Sequence, residues 1–235
     1  MSAWGARRFW TEVSILPVEG GFAVRLDGRD LRTPAKAPLV LPTQAFADLV
    51  AAEWAAQEGT IRPDTMPATR AANVAIDKVR GQARAVAGLI SDYGATDLLC
   101  YRAAAPEALV ARQAAAWDPL LDWAARRFGV SWQVTTGVMP CDQPQATLDR
   151  LSAHVAGFGA FELTAMHDLV ALSGSLVIGL AVTEGEDQPE TLWRISRIDE
   201  EWQISQWGED AEAAQKAALR QRDFLNAARF FAACR

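Results

Sequence analysis

Residues 193–210 read WRISRIDEEWQISQWGED, and the phase of their apolar side chains decides how the rest of the chain is read. On a helix turning about 100° per residue, Leu192, Ile195, Ile198 and Trp202 fall on one side. Trp193, Ile204 and Trp207 fall roughly opposite, with Arg197 and Glu200 among them. A helix apolar on two faces is either enclosed by its own protein or lends the second face to a partner. Glu200, Glu201, Glu209 and Asp210 place carboxylates on the helix or just beyond it. Arg197 stands one helical turn before Glu201, which predicts a surface ion pair. Asp199 falls within the first stripe and needs a donor, for which Arg70, Arg102 or a helix N-terminus are candidates.

Around this stretch the pattern is helical. Gly208 marks its end, and residues 209–233 form an alanine-rich final helix. Upstream, residues 176–182 are apolar on all sides, as expected of the centre of a helical core. Helices are predicted over 161–172 and from Pro144 to about 156. A long one opens at Pro106, with Leu109, Ala116, Leu120, Ala124 and Phe128 in register. Pro119 predicts a kink or break in it near Trp117 and Asp118. Residues 132–134 read as a brief extended segment, and 98–101 fit either a strand or a helix start. A helix from Pro67 or Thr69 buries Ala72, Ala75, Ile76 and Val79, and another covers 82–90.

The first sixty residues differ. Segments 9–16 and 21–26 are short, β-prone and bounded by turn residues. Asp27-Gly28 is a tight-turn dipeptide and predicts a hairpin. Residues 39–41 lie between Pro38 and Pro42 and suit an edge strand. Thr43 reads as the N-cap of a helix to about Gln57, with Ala47, Val50, Ala51 and Trp54 on its apolar face. The fold class is therefore α+β: a small β-rich N-terminal module over 1–60, then a larger all-helical domain over 61–235.

Composition narrows the functional classes. The chain is 50% hydrophobic and 22% charged, an ordinary globular balance, and its net charge is −6. Such an acidic chain lacks the concentrated basic surface that nucleic acid requires. Three cysteines without a CxxC pair fit buried thiols in a reducing compartment better than a disulfide frame or a zinc site. The most apolar run, 169–182, is broken by Ser173-Gly174-Ser175 and falls short of the ~20 residues a membrane span needs. The opening MSAWGARRFW has no apolar signal region. No membrane insertion is expected.

Catalytic patterns are sparse. Glycine-rich phosphate loops, GxSxG and HExxH are all missing. His167 stands beside Asp168, but neighbouring helical residues point about 100° apart. Cys100 has no base nearby in sequence. The carboxylates of 200–210 with their tryptophans leave open a carbohydrate-active hydrolase using Glu200 and Glu209. Glycosidase carboxylates, however, normally face each other across a cleft, about 5 to 10 Å apart. Tryptophan ringed by polar groups is equally the mark of an interface hot spot.

Several longer motifs stand in order along nearly the whole chain. They are LDGRDLRTPAK at 26–36, PLVLPT at 38–43, Glu53-Trp54, MPATR at 66–70, TDLLCYRA at 96–103, WDPLLDW at 117–123, SLVIGLAV at 175–182 and EEWQISQWGED at 200–210. In order and spacing the chain resembles the assembly chaperones of F-type ATP synthase that act on the α subunit of its catalytic head. The resemblance implies a non-enzymatic protein without cofactor or metal. Such a protein binds the unassembled α subunit and shields the surface later offered to β. It also implies an acidic position of functional interest near the C-terminal helix, which maps onto 200–210, whereas Trp54 and the 27–34 segment serve the fold. Trp193, Arg197, Glu200, Glu201, Ile204, Trp207, Glu209 and Asp210 are the expected client-binding residues. A monomer is expected, in the bacterial cytoplasm, with the mitochondrial matrix as the site of eukaryotic relatives. A general protein adaptor is the remaining alternative.

Overall fold

Strand β1 (Val13–Val18) begins where its backbone becomes free to pair. In a computed structural model that describes residues 7–137 and 139–235, the N–H groups of Thr11 and Glu12 donate to Asp27 Oδ1 at 3.0 and 2.9 Å. The extended segment predicted from residue 9 therefore joins the ladder only at Val13. β1 pairs antiparallel with β2 (Gly21–Leu26) along its length, Val13 opposite Leu26 and Val18 opposite Gly21. Asp27 and Gly28 both have positive φ, 48° and 79°, as a type I′ hairpin requires. The turn leads into β3 (Arg29–Asp30), which pairs with β2, as does β4 (Val40–Leu41). The N–H groups of Glu12 and Thr11 also hold the Asp27 carboxyl below its ordinary pKa.

Helix α1 (Gln44–Ala55) follows, and Thr43 caps it by accepting the Phe46 N–H at 3.1 Å. Phe46, Ala47 and Val50 are its buried face. α2 (Pro67–Val74) starts on a proline, and its free N–H groups are met by Glu53. That carboxylate accepts from Ala68 N–H at 2.6 Å, Thr69 N–H at 2.8 Å and Thr69 Oγ at 2.8 Å. Burial outweighs these bonds and raises the Glu53 pKa. The Glu53-Trp54 and MPATR motifs are thus two sides of one cap. Trp54 meets Trp10 edge-on at 5.2 Å, beside a cluster of Trp10, Leu26, Ile61 and Met66. A π turn (Ala75–Val79) and a 3₁₀ turn (Arg80–Gln82) carry the chain into α3 (Ala83–Ser91).

Residues 98–100 form a 3₁₀ turn, and Tyr101–Arg102 form the short strand β5. Its parallel partner β6 is Thr135–Thr136, so the extended segment predicted at 132–134 lies a few residues early. α4 (Glu107–Phe128) runs through Pro119 without ending. Buried Trp117, Leu120, Leu121, Trp123 and Ala124 flank the proline, and their packing exceeds the ~3 kcal/mol a helical proline costs. α5 (Gln145–Val155), α6 (Ala160–Ser173) and α7 (Leu176–Glu184) follow. α7 is buried on all sides, as its uniform apolarity requires. Its N-terminus is held by Ser175, which accepts the Ile178 N–H, and by fully buried Asp97, which accepts from Ser175 Oγ at 2.8 Å and Val177 N–H at 3.0 Å.

The chain closes with α8 (Pro189–Ser196), α9 (Ile198–Trp207) and α10 (Ala211–Ala233). It divides into two compact units. One comprises the described residues through Ala83 with Gly159–Ala165 and Arg229–Arg235, and the other comprises Arg84–Phe158 and Met166–Ala228. In the first, Phe46 packs against Phe161 and Phe230, and Thr43 Oγ donates to the carbonyl of Ala233. Among the described residues no helix is long and apolar enough to cross a membrane. Residues 1–6 of the opening segment lie outside the described residues.

Candidate functional site

The stretch 192–207 is two helices, not one. Arg197 leaves helical geometry at φ −110°, ψ 13°. The cause lies on α4, where the Trp117 indole N–H donates to the Ile195 carbonyl at 2.9 Å. In an unbroken helix that carbonyl would accept from Asp199. Ser196 Oγ donates to the Trp193 carbonyl at 2.6 Å, and the Arg197 N–H turns back to Arg194. The ladder restarts when the Glu201 N–H reaches the Arg197 carbonyl at 2.8 Å.

The break resets the helical phase, so Trp193 does not share a face with Ile204 and Trp207. It is 4% exposed and packs against Phe224 at 5.4 Å. Trp193 is therefore a core residue. Arg197 lies over its ring at 5.7 Å and donates to Glu200 at 2.5 Å. The ion pair expected between Arg197 and Glu201 thus forms one residue earlier, and Glu201 instead accepts from Arg112 of α4. Asp199 is satisfied neither by Arg70 nor by Arg102. Its donor is Gln113 Nε2 at 2.6 Å, while Arg102 bonds the Leu99 carbonyl and Asp118. Asp210 caps α10 by accepting the Ala213 N–H at 2.8 Å.

What remains uncommitted is the far end of α9. Every residue from 203 to 213 is exposed. Ile204 is 42% and Trp207 80% exposed. Glu209 follows Gly208, whose φ of 88° turns the chain, and makes no hydrogen bond or ion pair among the described residues. Ile204, Trp207 and Glu209 all lie in this exposed segment, with Glu200 half-buried a turn below, whereas Trp193, Glu201 and Asp210 serve the fold.

Chemistry elsewhere stays structural. Cys100 is fully buried, and burial pushes its thiol up to about 12, away from nucleophilic use. His167 and Asp168 do meet, Nδ1 to Oδ1 at 3.0 Å, despite adjacent positions on α6. Both lie half in solvent, and the bond raises the histidine pKa. His154 stands edge-on to Phe128 and Phe158 at 5.0 and 5.4 Å, with Nε2 3.5 Å from Glu184. Among the described residues no three His, Cys, Asp or Glu side chains converge as a metal-holding group.

Gln113 and Arg112 were not among the expected site residues, although one signal was present. Gln113 is a polar residue inside the stripe Leu109, Trp117, Leu120, Ala124, and a buried amide in an apolar stripe needs partners.

The model of the family described as ATP12 chaperone protein matches residues 7–125. The crystal structure of Atp12 from Paracoccus denitrificans superposes with a TM-score of 0.96 at 52% identity, covering 99% of this chain and 100% of that one. An aspartate-to-lysine mutant of P. denitrificans Atp12p gives 0.96 at 51% identity, over 99% of each chain. Protein atp12, mitochondrial, of Schizosaccharomyces pombe is 24% identical over 233 residues, spanning 92% of this chain and 79% of the relative.

Proposed function

The chain belongs to the ATP12 chaperone family, and from that premise we propose that it assists assembly of the F-type ATP synthase head by binding the unassembled α subunit. It covers the surface that α later offers to β. An orphan subunit exposes an interface built to be buried, which is an aggregation hazard. A transient shield must therefore bind that surface and still yield it to the true partner. It does this without catalysing a reaction, as a monomer, in the bacterial cytoplasm. The compartment rests on 52% identity to a bacterial relative against 24% to a mitochondrial one.

One observation carries the choice of client surface. Trp207 is 80% exposed at the end of a helix whose other tryptophan-bearing neighbour, α8, buries its own. A solvated tryptophan beside Ile204 and an unpaired Glu209 has the composition of a binding hot spot, an aromatic anchor with a charged rim. The alternative hydrolase reading has no such support, because Glu201 and Glu200 are each held by an arginine.

The test is a titration of purified α subunit against wild type, Trp207→Ala and Glu209→Lys. Trp207→Ala should weaken binding about 30-fold, near 2 kcal/mol, with Tm nearly unchanged because the residue is 80% exposed. Glu209→Lys should weaken it less and lose its effect in high salt. Wild-type affinity in both variants would move the client surface elsewhere.

A further inference from the structure

α9 is entered and left through joints, Arg197 before it and Gly208 after it. Its principal packing partner among the described residues is α4. Two carboxylates from its first turn make that seam. Asp199 accepts from Gln113 Nε2 at 2.6 Å, and Gln113 is itself 1% exposed. The other end of that amide accepts the Ala103 N–H at 2.8 Å, so Gln113 is fixed from both sides. Two residues on, Glu201 accepts from Arg112. Beyond residue 202 every residue of the helix is exposed. The root of α9 is therefore bolted to α4 while its tip is bare.

We infer that Asp199 and Glu201 are positioning residues, which fix α9 on α4 through Gln113 and Arg112 so that Ile204 and Trp207 meet the client in one orientation. This rests on reading the tip of α9 as the client surface. The physical reason is preorganisation. When a surface is competent for only a fraction of the time, its apparent affinity falls by that fraction, and ordering it on binding draws on the interface energy. The Arg112–Glu201 pair is about two-fifths exposed on each side, so it adds little to global stability. A single helix hung between two joints is a small enough element for such a pair to bias.

The experiment measures α-subunit affinity for Arg112→Ala, for the exchange Arg112→Glu with Glu201→Arg, and for Asp199→Asn, each in wild-type and Trp207→Ala backgrounds. Circular dichroism and Tm confirm folding. Arg112→Ala should weaken binding about tenfold with Tm nearly unchanged. The exchange should restore it, and Asp199→Asn, which keeps the acceptor oxygen, should bind as wild type. In the Trp207→Ala background the Arg112→Ala loss should vanish, because the position of an absent anchor no longer matters. Full affinity in Arg112→Ala, no recovery in the exchange, or losses that multiply with Trp207→Ala would each overturn the inference. If Trp207→Ala alone binds normally, the client surface itself is wrong and the inference falls with it. Multiplying losses beside an effective Trp207→Ala would remove the positioning role only.

Discussion

Asp97 is a carboxylate with no exposed surface and three donors: Leu99 N–H at 3.0 Å, Ser175 Oγ at 2.8 Å and Val177 N–H at 3.0 Å. Burial outweighs those bonds and pushes its pKa up to about 6 from an ordinary 3.8. The sign of its effect on stability follows. Between those two values the folded protein keeps the proton that the unfolded chain has lost, so stability falls as pH rises. Below about 4 both states are protonated, and above about 6 both are ionised, so the change is confined to that window. A shift of this size amounts to about 3 kcal/mol. Urea unfolding from pH 4 to 6.5 should show wild type losing about that much relative to Asp97→Asn. A constant difference across the window would mean that the carboxylate is not titrating in the fold. The partners of this residue were out of sight in the sequence, because Asp97 and Ser175 are far apart along the chain. By contrast, the cap of Thr43 on α1 was legible, since a cap acts on its own neighbours.

The elements themselves were mostly legible where their signals are local. The Asp27-Gly28 turn, the helix from Pro67, the long α4 and the buried α7 all follow from turn chemistry and apolar period. What failed was phase across a break. The helical wheel that joined Trp193 to Ile204 and Trp207 assumed an uninterrupted ladder. The Trp117 indole removes one rung of that ladder from a helix distant in sequence. No periodicity within 193–210 could reveal this, so one tryptophan was assigned to the wrong side. α7 supports a sharper prediction. A methyl on Gly179 would lie 2.6 Å from Val170 Cγ2 and 3.0 Å from Met166 Cε, and both neighbours are buried. Gly179→Ala gains about 1 kcal/mol of helix propensity, while overpacking opposes it by about 1–3 kcal/mol. Denaturant unfolding should show a net loss of about 1 kcal/mol, and a stabilised variant would show that α6 and α7 repack freely.

At the scale of the whole molecule, the α+β class and the order of its parts were readable, because short β-prone segments precede a long helical pattern. The return of 159–165 and 229–235 to the first unit was not. An alanine-rich helix announces itself but not its neighbours, and the pairing of Phe46 with Phe161 and Phe230 depends on residues far apart in the chain. Function follows a similar division. Membership of the ATP12 chaperone family rests on the family match over residues 7–125 and on similarity to Paracoccus denitrificans Atp12 along nearly the whole chain. Several of the motifs quoted from the sequence, such as Glu53 with 66–70 and Asp97 with 175–177, meet as hydrogen-bonded caps that hold the scaffold. The exposed stretch from 203 to 209, before the Asp210 cap of α10, is then the part with the least structural duty. With a net charge of −6 and an exposed tryptophan there, the proposed client surface would be apolar with a basic rim.

The most direct measurement follows light scattering of isolated α subunit as it aggregates, with and without an equimolar amount of this protein, and then on addition of β subunit. Scattering should be suppressed, and a one-to-one complex with α should appear on size exclusion. Added β should then release this protein as the α–β assembly forms. Suppression by β-binding instead of α-binding, or no complex with α under conditions where α aggregates, would contradict the proposed function.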